Sequence, residues 1–362
     1  RRRTTAIAVS LAVAGSLVAG AFAAVTGSSD EAALQPTRQA ADRGIEARAD
    51  ALLRRMTLDE KLQQIQLLSD GQVTDADARA GVGSVFSLTD PAKINHLQKV
   101  AVEQSRLHIP ILFAYDTIHG YRTIFPVPLG AASSFDPAVV TAGDTIAARE
   151  TATVGIKQIY GPMVDVSHEP RWGRIAEAAG EDPYLGSVFA AAKVKAAQGP
   201  DYSAPDKVVT SVKHAAAYGQ PEGGRDYNTT DMSGQRLRNL YLPPFKAAID
   251  APSDTLMCSF NAINGVPGCA NHMLETDILK GEWGFDGFIE SDYTAVAELR
   301  ACPPVAPDEG PCGHGVAADG PGAAEAALNA GTDSEMVSTT IRDNGRQLLA
   351  DGRISMSRVN DA

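Results

Sequence analysis

Hydrophobic and polar positions follow two rhythms along this chain, and the two rhythms alternate. Short apolar runs predict strands at 82–88, 110–116, 156–166, 207–216, 254–262, 285–292 and, more weakly, 329–336. Helical periodicity predicts helices near 91–106, 136–153, 183–198, 233–250, 272–280, 322–330 and 336–352. Strands that alternate with helices favour parallel βα units. Seven or eight such units predict an α/β fold of the (β/α)8 TIM type, in which some strands are irregular.

Two further helices are predicted before the first of these strands. The first has one apolar face, made by Ile45, Ala49, Leu52, Leu53 and Met56. The second begins at a capping box, Thr57 to Glu60, and its apolar face includes Leu58, Leu62 and Ile65. We therefore expect the barrel domain to cover residues 41–362.

The N-terminus has the pattern of an export signal. Arg1 to Arg3 precede an apolar run over 6–19, and small residues follow around Phe22 up to Ala23. This pattern predicts a signal peptide over 1–23 and a polar spacer over 24–40. We expect a secreted or periplasmic protein that has no contact with the membrane after cleavage.

Composition and charge exclude several functional classes. The 362 residues are 44% hydrophobic and carry a net charge of −12, which argues against nucleic acid or an anionic membrane surface as a partner. No GxGxxG or P-loop pattern occurs, which argues against dinucleotide or nucleoside triphosphate chemistry. Neither CxxC nor HExxH occurs, so no metal site is predicted.

The four cysteines form two local pairs, Cys258 with Cys269 and Cys302 with Cys312. In an exported chain we interpret both pairs as disulfides that close short loops. The second pair lies in a segment over 301–321 that is rich in Pro, Gly and acidic residues, which indicates an excursion above the barrel.

Polar side chains follow the predicted strands at the points where the strands end. The run from Gly284 through Phe285 and Ile289 ends at Asp292, as expected of a buried strand that reaches the mouth of a barrel. Carboxylates and cations at one mouth hydrogen-bond hydroxyl groups in both directions, and an aromatic ring covers an apolar sugar face. The other strand-end groups are Asp116, the loop from His168 through Arg171 and Trp172 to Arg174, the pair Lys213 and His214, and the triplet Ser259 to Asn261.

Taken together, these segments resemble the barrel domain of family 3 glycoside hydrolases, particularly exported bacterial β-glucosidases. The resemblance runs from about residue 45 to the end of the chain. Its most specific parts are the blocks Glu-Pro-Arg-Trp-Gly-Arg and Gly-Glu-Asp-Pro, the Lys-His pair and the Gly-Phe-x-Gly…Ser-Asp block.

The resemblance implies roles for individual residues. Asp292 corresponds to the nucleophile, Asp116 holds sugar hydroxyls, and Lys213 and His214 contact the same sugar. It also implies substrate contacts by His168, Arg171, Arg225 and Phe260. The implied mechanism is retaining hydrolysis of a β-glucoside or oligosaccharide through a glycosyl-enzyme on Asp292, and it needs no metal or organic cofactor.

Two physical expectations accompany this assignment. A strand-end Asp292 held by Lys and Arg should stay ionised, as a nucleophile must. Adjacent residues of a regular strand point to opposite faces, so Lys213 and His214 cannot both face one pocket. We therefore predict irregular backbone at 213–214, for which a non-proline cis peptide bond is one route.

The sequence departs from the family pattern at three positions. His168 replaces a sugar-contacting Arg, and Phe260 stands where many members have Tyr. Glu290 replaces an apolar residue on the same strand face as Asp292, so it needs a partner or a raised pKa. Asp182 is interpreted as a structural helix cap before Pro183.

The largest departure concerns the proton donor. Most β-glucosidases of the family take their acid/base Glu from a following α/β domain, which we expect to be absent here. Single-domain N-acetylhexosaminidases use a His in the loop after the Lys-His strand. In this chain that loop, Gly219 to Asp231, contains Glu222, Arg225 and Asp226 but no His.

Three alternatives to a β-glucosidase stay open. The pocket of a non-catalytic sugar-binding remnant would look the same. An N-acetylhexosaminidase is disfavoured by the loop without His. A β-xylosidase would keep all of these residues.

Overall fold

The computed structural model describes residues 44–302 and 313–362. The predicted signal peptide and spacer, 1–23 and 24–40, lie outside the described residues. Contacts divide the chain into a unit that ends at Leu52 and a unit from Leu53 to Ala362. The described part of the first unit is helical (α1, residues 44–53). All features discussed below belong to the second unit.

Eight parallel strands form the barrel, in the spatial order β10-β1-β2-β3-β4-β5-β6-β9. A parallel bridge between Glu290 and Ser334 connects the two ends of this order. The (β/α)8 prediction is therefore confirmed. The barrel strands are β1 Gln66–Ser69, β2 Ser84–Phe86, β3 Leu112–Tyr115, β4 Gln158–Ile159, β5 Val209–Ala215, β6 Thr255–Cys258, β9 Phe288–Glu290 and β10 Glu335–Met336, and a separate hairpin pairs β7 Ala262–Ile263 with β8 Val266–Pro267.

Helices connect the strands along the outside of the barrel. Several begin at an aspartate that caps a first turn containing proline, which the sequence spacing predicts. Asp182, for example, accepts a hydrogen bond from the main-chain N–H of Leu185 at 2.8 Å. The α-helices are α2 Leu58–Gln64, α3 Asp75–Ala80, α4 Pro91–Gln104, α5 Pro128–Ala132, α6 Pro137–Ala152, α7 Pro183–Gln198, α8 Gly234–Arg236, α9 Pro243–Asp250, α10 Gly320–Ala330, α11 Thr340–Ala350 and α12 Met356–Asp361. None of the helices in the described ranges has the length and apolarity needed to cross a membrane.

Several predicted elements have different bounds in the structure. The capping box at Thr57 is present, but its helix ends at Gln64 and a strand that was not predicted, β1, follows at once. The predicted strand over 156–166 is regular only at Gln158–Ile159, and the remainder bends at a cis Gly161–Pro162 bond. The predicted helix over 272–280 is a π-helix, Met273–Glu282.

The interior of the barrel is partly polar, unlike the layer between strands and helices. Leu67, Ala114 and Met257 form part of an apolar cluster inside the barrel. Beside them lie buried polar residues, and Gln158 Nε2 donates to both Thr255 Oγ1 at 3.1 Å and Glu290 Oε1 at 3.0 Å. These polar groups lie beneath the C-terminal ends of the strands, where a (β/α)8 barrel carries its chemistry.

A disulfide closes the loop that follows β6. Cys258 and Cys269 are bonded, as predicted, and both are buried. The loop between them contains Phe260 and Asn261 and the short hairpin β7–β8. The second predicted pair includes Cys312, which lies outside the described residues.

We predict that replacing both Cys258 and Cys269 by Ala lowers the free energy of unfolding by about 2–4 kcal/mol, because the unfolded chain loses a covalent loop. Urea unfolding followed by circular dichroism measures the change. Under reducing denaturation the wild-type protein should lose at least this much stability, because reduction also opens the second predicted disulfide. Equal stability of the variant and the oxidised wild type would contradict the prediction.

Candidate active site

The C-terminal ends of three strands bring the predicted site residues together. Asp116 follows β3, Lys213 and His214 lie on β5, and Asp292 follows β9. Lys213 and His214 are buried, and Asp292 is only 7% exposed. The site is therefore a cluster of polar side chains at the barrel mouth, and most of these side chains are shielded from solvent.

Lys213 forms the central ion pair of the site. Its ammonium group lies 2.5 Å from Asp116 Oδ1, and its side chain is 5% exposed whereas that of Asp116 is 40% exposed. A buried ammonium needs an opposite charge close by, because its desolvation cost is otherwise uncompensated. Asp116 therefore lies between the buried ammonium group of Lys213 and the solvent at the barrel mouth.

His214 lies between two aspartates. Its Nδ1 is 2.9 Å from Asp165 Oδ2, and the same oxygen accepts the main-chain N–H of His214 at 3.0 Å. On the other side of the ring, Nε2 is 3.4 Å from Asp292 Oδ2. The edge of the Tyr218 ring packs against the imidazole, with 5.1 Å between ring centroids. His214 is thus fixed in orientation and faces Asp292.

The backbone at 213–214 is irregular, as predicted. The Lys213–His214 peptide bond is cis, and the pairing of β5 with β6 shifts register between Val212 and Ala215. The side chains of Lys213 and His214 contact Asp116 and Asp292 respectively, so both reach the same mouth of the barrel.

Asp292 differs from the expectation that it stays ionised. Burial raises its pKa to about 7, against the opposing effects of Lys213, the Tyr293 main-chain N–H and Arg174. The nearby cations are paired with other carboxylates, since Lys213 pairs with Asp116 and Arg174 with Glu177 at 2.7 Å. In the free protein, Asp292 therefore titrates near neutrality.

An aromatic wall stands beside this group. The Trp172 ring packs edge-on against Tyr218, and the Arg174 guanidinium lies 5.6 Å from the Tyr218 ring centre. Trp172 Nε1 donates to Asp226 Oδ1 at 2.8 Å, which ties this wall to the loop from 219 to 231. The loop approaches so closely at Gly224 that an added Cβ there would lie 2.6 Å from Arg171 Cβ.

Phe260 completes the same wall. It packs against Tyr218 and lies 4.2 Å from the ring centre of Tyr227, which belongs to the 219–231 loop. Tyr227 is 47% exposed and covers Phe260, which is 5% exposed. The substrate contact expected of Phe260 stays a prediction.

Three predicted substrate contacts lie at the rim instead. Arg171 pairs with Glu169 at 2.6 Å and its side chain is 70% exposed. His168 is exposed and lies 3.4 Å from the Tyr241 hydroxyl through Nδ1. Arg225 is also exposed, in the 219–231 loop. These three side chains lie at the rim of the mouth. None of their described contacts is with Asp292, Lys213 or His214.

Glu290 is buried inside the barrel beneath Asp292. Gln158 donates to it, and its pKa is raised to about 8, chiefly by burial and also by the Asp292 and Asp116 charges. We expected Glu290 to have either a partner or a raised pKa, and it has both. Its depth in the barrel agrees with the view that it is not the acid/base residue.

Sequence reasoning missed two residues of the site. Asp165 was hidden inside a predicted strand, although its place near the end of that strand was a usable signal. Arg174 was named only as the last residue of a strand-end loop and was given no role, yet it lies close enough to Asp292, His214 and Asp165 to influence their pKa values. Within residues 44–302 and 313–362, no group of three or more His, Cys, Asp and Glu side chains is arranged to hold a metal ion.

The fold and this site define a (β/α)8-barrel protein with a polar pocket at the C-terminal ends of its strands. Residues 57–362 match the family described as the glycosyl hydrolase family 3 N terminal domain. The chain therefore belongs to glycoside hydrolase family 3, and its barrel corresponds to the N-terminal domain of that family.

Named relatives agree with this assignment. The chain is 42% identical over 317 residues to a periplasmic beta-glucosidase of Salmonella typhimurium. The aligned region covers 86% of this chain and 40% of that protein. It is 32% identical to a putative beta-xylosidase of Formosa agariphila, over 70% of this chain and 37% of that protein. A beta-glucosidase from Listeria innocua, solved in complex with glucose, superimposes with a TM-score of 0.79 at 34% identity and covers 87% of this chain and 45% of that chain. The chain thus spans less than half the length of these relatives.

We predict that Glu290→Gln flattens the pH dependence of stability. The folded-state pKa of Glu290, about 8, lies above its ordinary 4.5, so its contribution is complete below pH 4.5 and is lost as the pH rises to about 8. The wild-type free energy of unfolding should fall by up to about 1.4 kcal/mol per pH unit more steeply than that of the variant. Urea unfolding between pH 5 and pH 8 measures both slopes.

The exposed Glu103 offers a matched control, because Glu103→Gln removes one surface carboxyl that contacts only Lys99 at 4.0 Å. Its slope should equal that of the wild type. Parallel slopes for wild type and Glu290→Gln would show that Glu290 is not a neutral acid in the folded barrel.

Proposed function

We propose that this chain is the sugar-binding, nucleophile-bearing barrel of an exported retaining β-glycosidase that acts on β-glucosides. Asp292 is the nucleophile in this proposal. The observation that supports it most strongly is the convergence of Lys213, His214 and Asp116 on the mouth where Asp292 lies buried.

The chemistry of these groups suits a sugar. The Asp116 carboxylate accepts hydrogen bonds from hydroxyls, and the Lys213 ammonium donates to them. The wall formed by Trp172, Tyr218 and Phe260 supplies apolar surface at one side of the pocket. In this proposal one pyranose ring lies against the charged groups and the rings and shields Asp292 from water.

Hydrolysis would proceed in two steps. Asp292 attacks the anomeric carbon, the bond from that carbon to the leaving-group oxygen breaks, and a glycosyl ester of Asp292 forms. Water then attacks the same carbon, which releases the sugar and restores the carboxylate. The leaving-group oxygen takes up one proton in the first step, and the attacking water loses one in the second.

The described residues do not supply a clear donor of that proton. Asp226 accepts the Trp172 N–H, and Glu222 is exposed in the 219–231 loop. Loss of general-acid help costs about 10²–10⁴-fold in rate. In this proposal a following α/β domain of the whole protein supplies the acid, so the chain by itself turns over only substrates whose leaving groups need no protonation.

Export and substrate are supported by the relatives. The Salmonella relative is named a periplasmic beta-glucosidase, which agrees with the signal sequence expected at 1–23. β-Xylosides are the second candidate, because other relatives are named beta-xylosidases and share this barrel.

We predict that incubation with 2,4-dinitrophenyl 2-deoxy-2-fluoro-β-glucoside adds one fluoroglucosyl unit to the mass of the chain. The fluorine slows both steps, but the good leaving group lets the first proceed, so the ester on Asp292 accumulates. Intact mass spectrometry measures the gain, and Asp292→Ala should abolish it.

The exposed Asp286, six residues earlier, provides the control for this experiment. Asp286→Ala should be labelled as fully as the wild type. Labelling of Asp292→Ala would assign the nucleophile elsewhere, and no labelling of any form would favour a sugar-binding domain without turnover.

We further predict that aryl glucosides are cleaved faster than aryl xylosides and aryl N-acetylglucosaminides with the same leaving group. A common leaving group removes differences in acid help, so the rates report only recognition of the sugar ring. Release of 2,4-dinitrophenol, followed by absorbance, measures all three. A higher rate on the xyloside would contradict the proposed β-glucosidase activity and favour a β-xylosidase.

A further inference from the structure

The buried contacts of His214 carry an inference about the protonation of the nucleophile. Asp165 contributes one oxygen, Oδ2, that accepts the main-chain N–H of His214 at 3.0 Å and lies 2.9 Å from Nδ1 of the same residue. The side chains of Asp165 and His214 are 0% and 1% exposed. One buried oxygen therefore contacts both the backbone and the ring of a single residue.

This geometry decides the tautomer of the ring. Because Oδ2 already accepts a main-chain N–H, a proton carried by Asp165 belongs on Oδ1, which has no hydrogen-bond partner among the described atoms. Oδ2 is thus an acceptor whether Asp165 is ionised or neutral. The ring nitrogen that faces it, Nδ1, must carry the proton.

The consequence appears on the other side of the ring. A neutral imidazole with its proton on Nδ1 presents a bare Nε2 to Asp292 Oδ2, 3.4 Å away. Two acceptors that face each other in a buried site repel unless one proton lies between them. Asp292 Oδ2 has no other partner among the described atoms.

We propose that Asp165 is a positioning residue that holds His214 with its proton on Nδ1, so that Nε2 and the Asp292 carboxyl share a single proton, which must leave before Asp292 can attack. The role of that proton in attack rests on the proposed function, whereas the tautomer is a property of the protein alone. The proton passes to bulk water as the pH rises, and no other group changes its covalent bonds.

The surroundings of the shared proton set the pH at which it leaves. The Lys213 and Arg174 cations favour loss of the shared proton from His214 and Asp292. Burial of Asp292 and the neighbouring carboxyls oppose the loss of this proton. The titratable and charged groups that face the pair from the surrounding elements are Asp116 after β3, Tyr160 after β4, Asp165, Arg174 and Glu177 in the segment before α7, Lys213 on β5, Tyr218 and Tyr227 after β5, and Glu290 on β9.

The first test needs no activity. In the full chain labelled with ¹⁵N-histidine, long-range ¹⁵N–¹H spectra distinguish the two tautomers, and the signals lost in His214→Asn identify His214. We expect a neutral ring protonated on Nδ1, with an Nε2 signal that changes with pH as the shared proton leaves Asp292 and loses this titration in Asp292→Asn. A neutral ring with its proton on Nε2 and none on Nδ1, or the same titration in Asp292→Asn, would overturn the proposal.

The second test addresses Asp165 itself. Asp165→Asn retains an oxygen for the two N–H donors but removes the charge. Burial raises the pKa of Asp165 to about 7, so its carboxyl carries only part of its charge in the range where Asp292 titrates. We therefore expect the midpoint of the trapping rate against pH to move down by a fraction of a pH unit, together with the Nε2 titration.

Asp144→Asn is the matched control, because Asp144 is a buried aspartate paired with Lys193 on the outer helices. Its midpoint should equal that of the wild type. If Asp165→Asn lowers the rate by the same factor at every pH, Asp165 is merely structural and the proposal fails. If the wild type is not trapped at all, the proposed function fails, and the Nε2 titration of Asp165→Asn still decides the inference.

Discussion

The ion pair between Lys213 and Asp116 is the interaction on which the rest of the site depends. The ammonium group is buried at the barrel mouth, and Asp116 is its direct counter-charge. Without a buried cation here, Asp292 and Asp165 would place two carboxyls in one poorly solvated region, and each would favour its neutral form. Lys213 lowers the pKa of both Asp292 and Asp165, so this one side chain favours the ionised form of both carboxyls.

The surrounding fold explains why these groups meet. Parallel strands end at one edge of the barrel, so residues far apart in the chain become neighbours: Asp116 and Lys213 are separated by 97 positions. Strand β5 is irregular at the site, and the segment that follows the short strand β4 contributes Asp165 to the contacts of His214. The polar interior beneath them, with Gln158 and Glu290, continues the site into the barrel.

The alternation of apolar runs with helical periodicity was sufficient to predict the barrel, and strand-end polar residues located Asp116, Lys213, His214 and Asp292. Strand β1 escaped prediction because its four residues follow a helix without a turn signal. Arg171 and Arg174 could not be distinguished by spacing, since only packing against Tyr218 draws one inward. Asp165 was missed because it lay inside the predicted strand over 156–166, although its place near the end of that strand was a usable signal, and its contact with His214 across the strands leaves no local pattern.

A crystal structure of the chain with glucose or gluconolactone bound is the decisive test of the proposed site. We predict one sugar ring in the pocket, its hydroxyls within hydrogen-bond distance of Asp116, Lys213 and His214, and its anomeric carbon about 3–3.5 Å from an Asp292 oxygen. A sugar bound only at the rim, against Arg171 or Arg225, with Asp292 out of reach of the anomeric carbon, would contradict it.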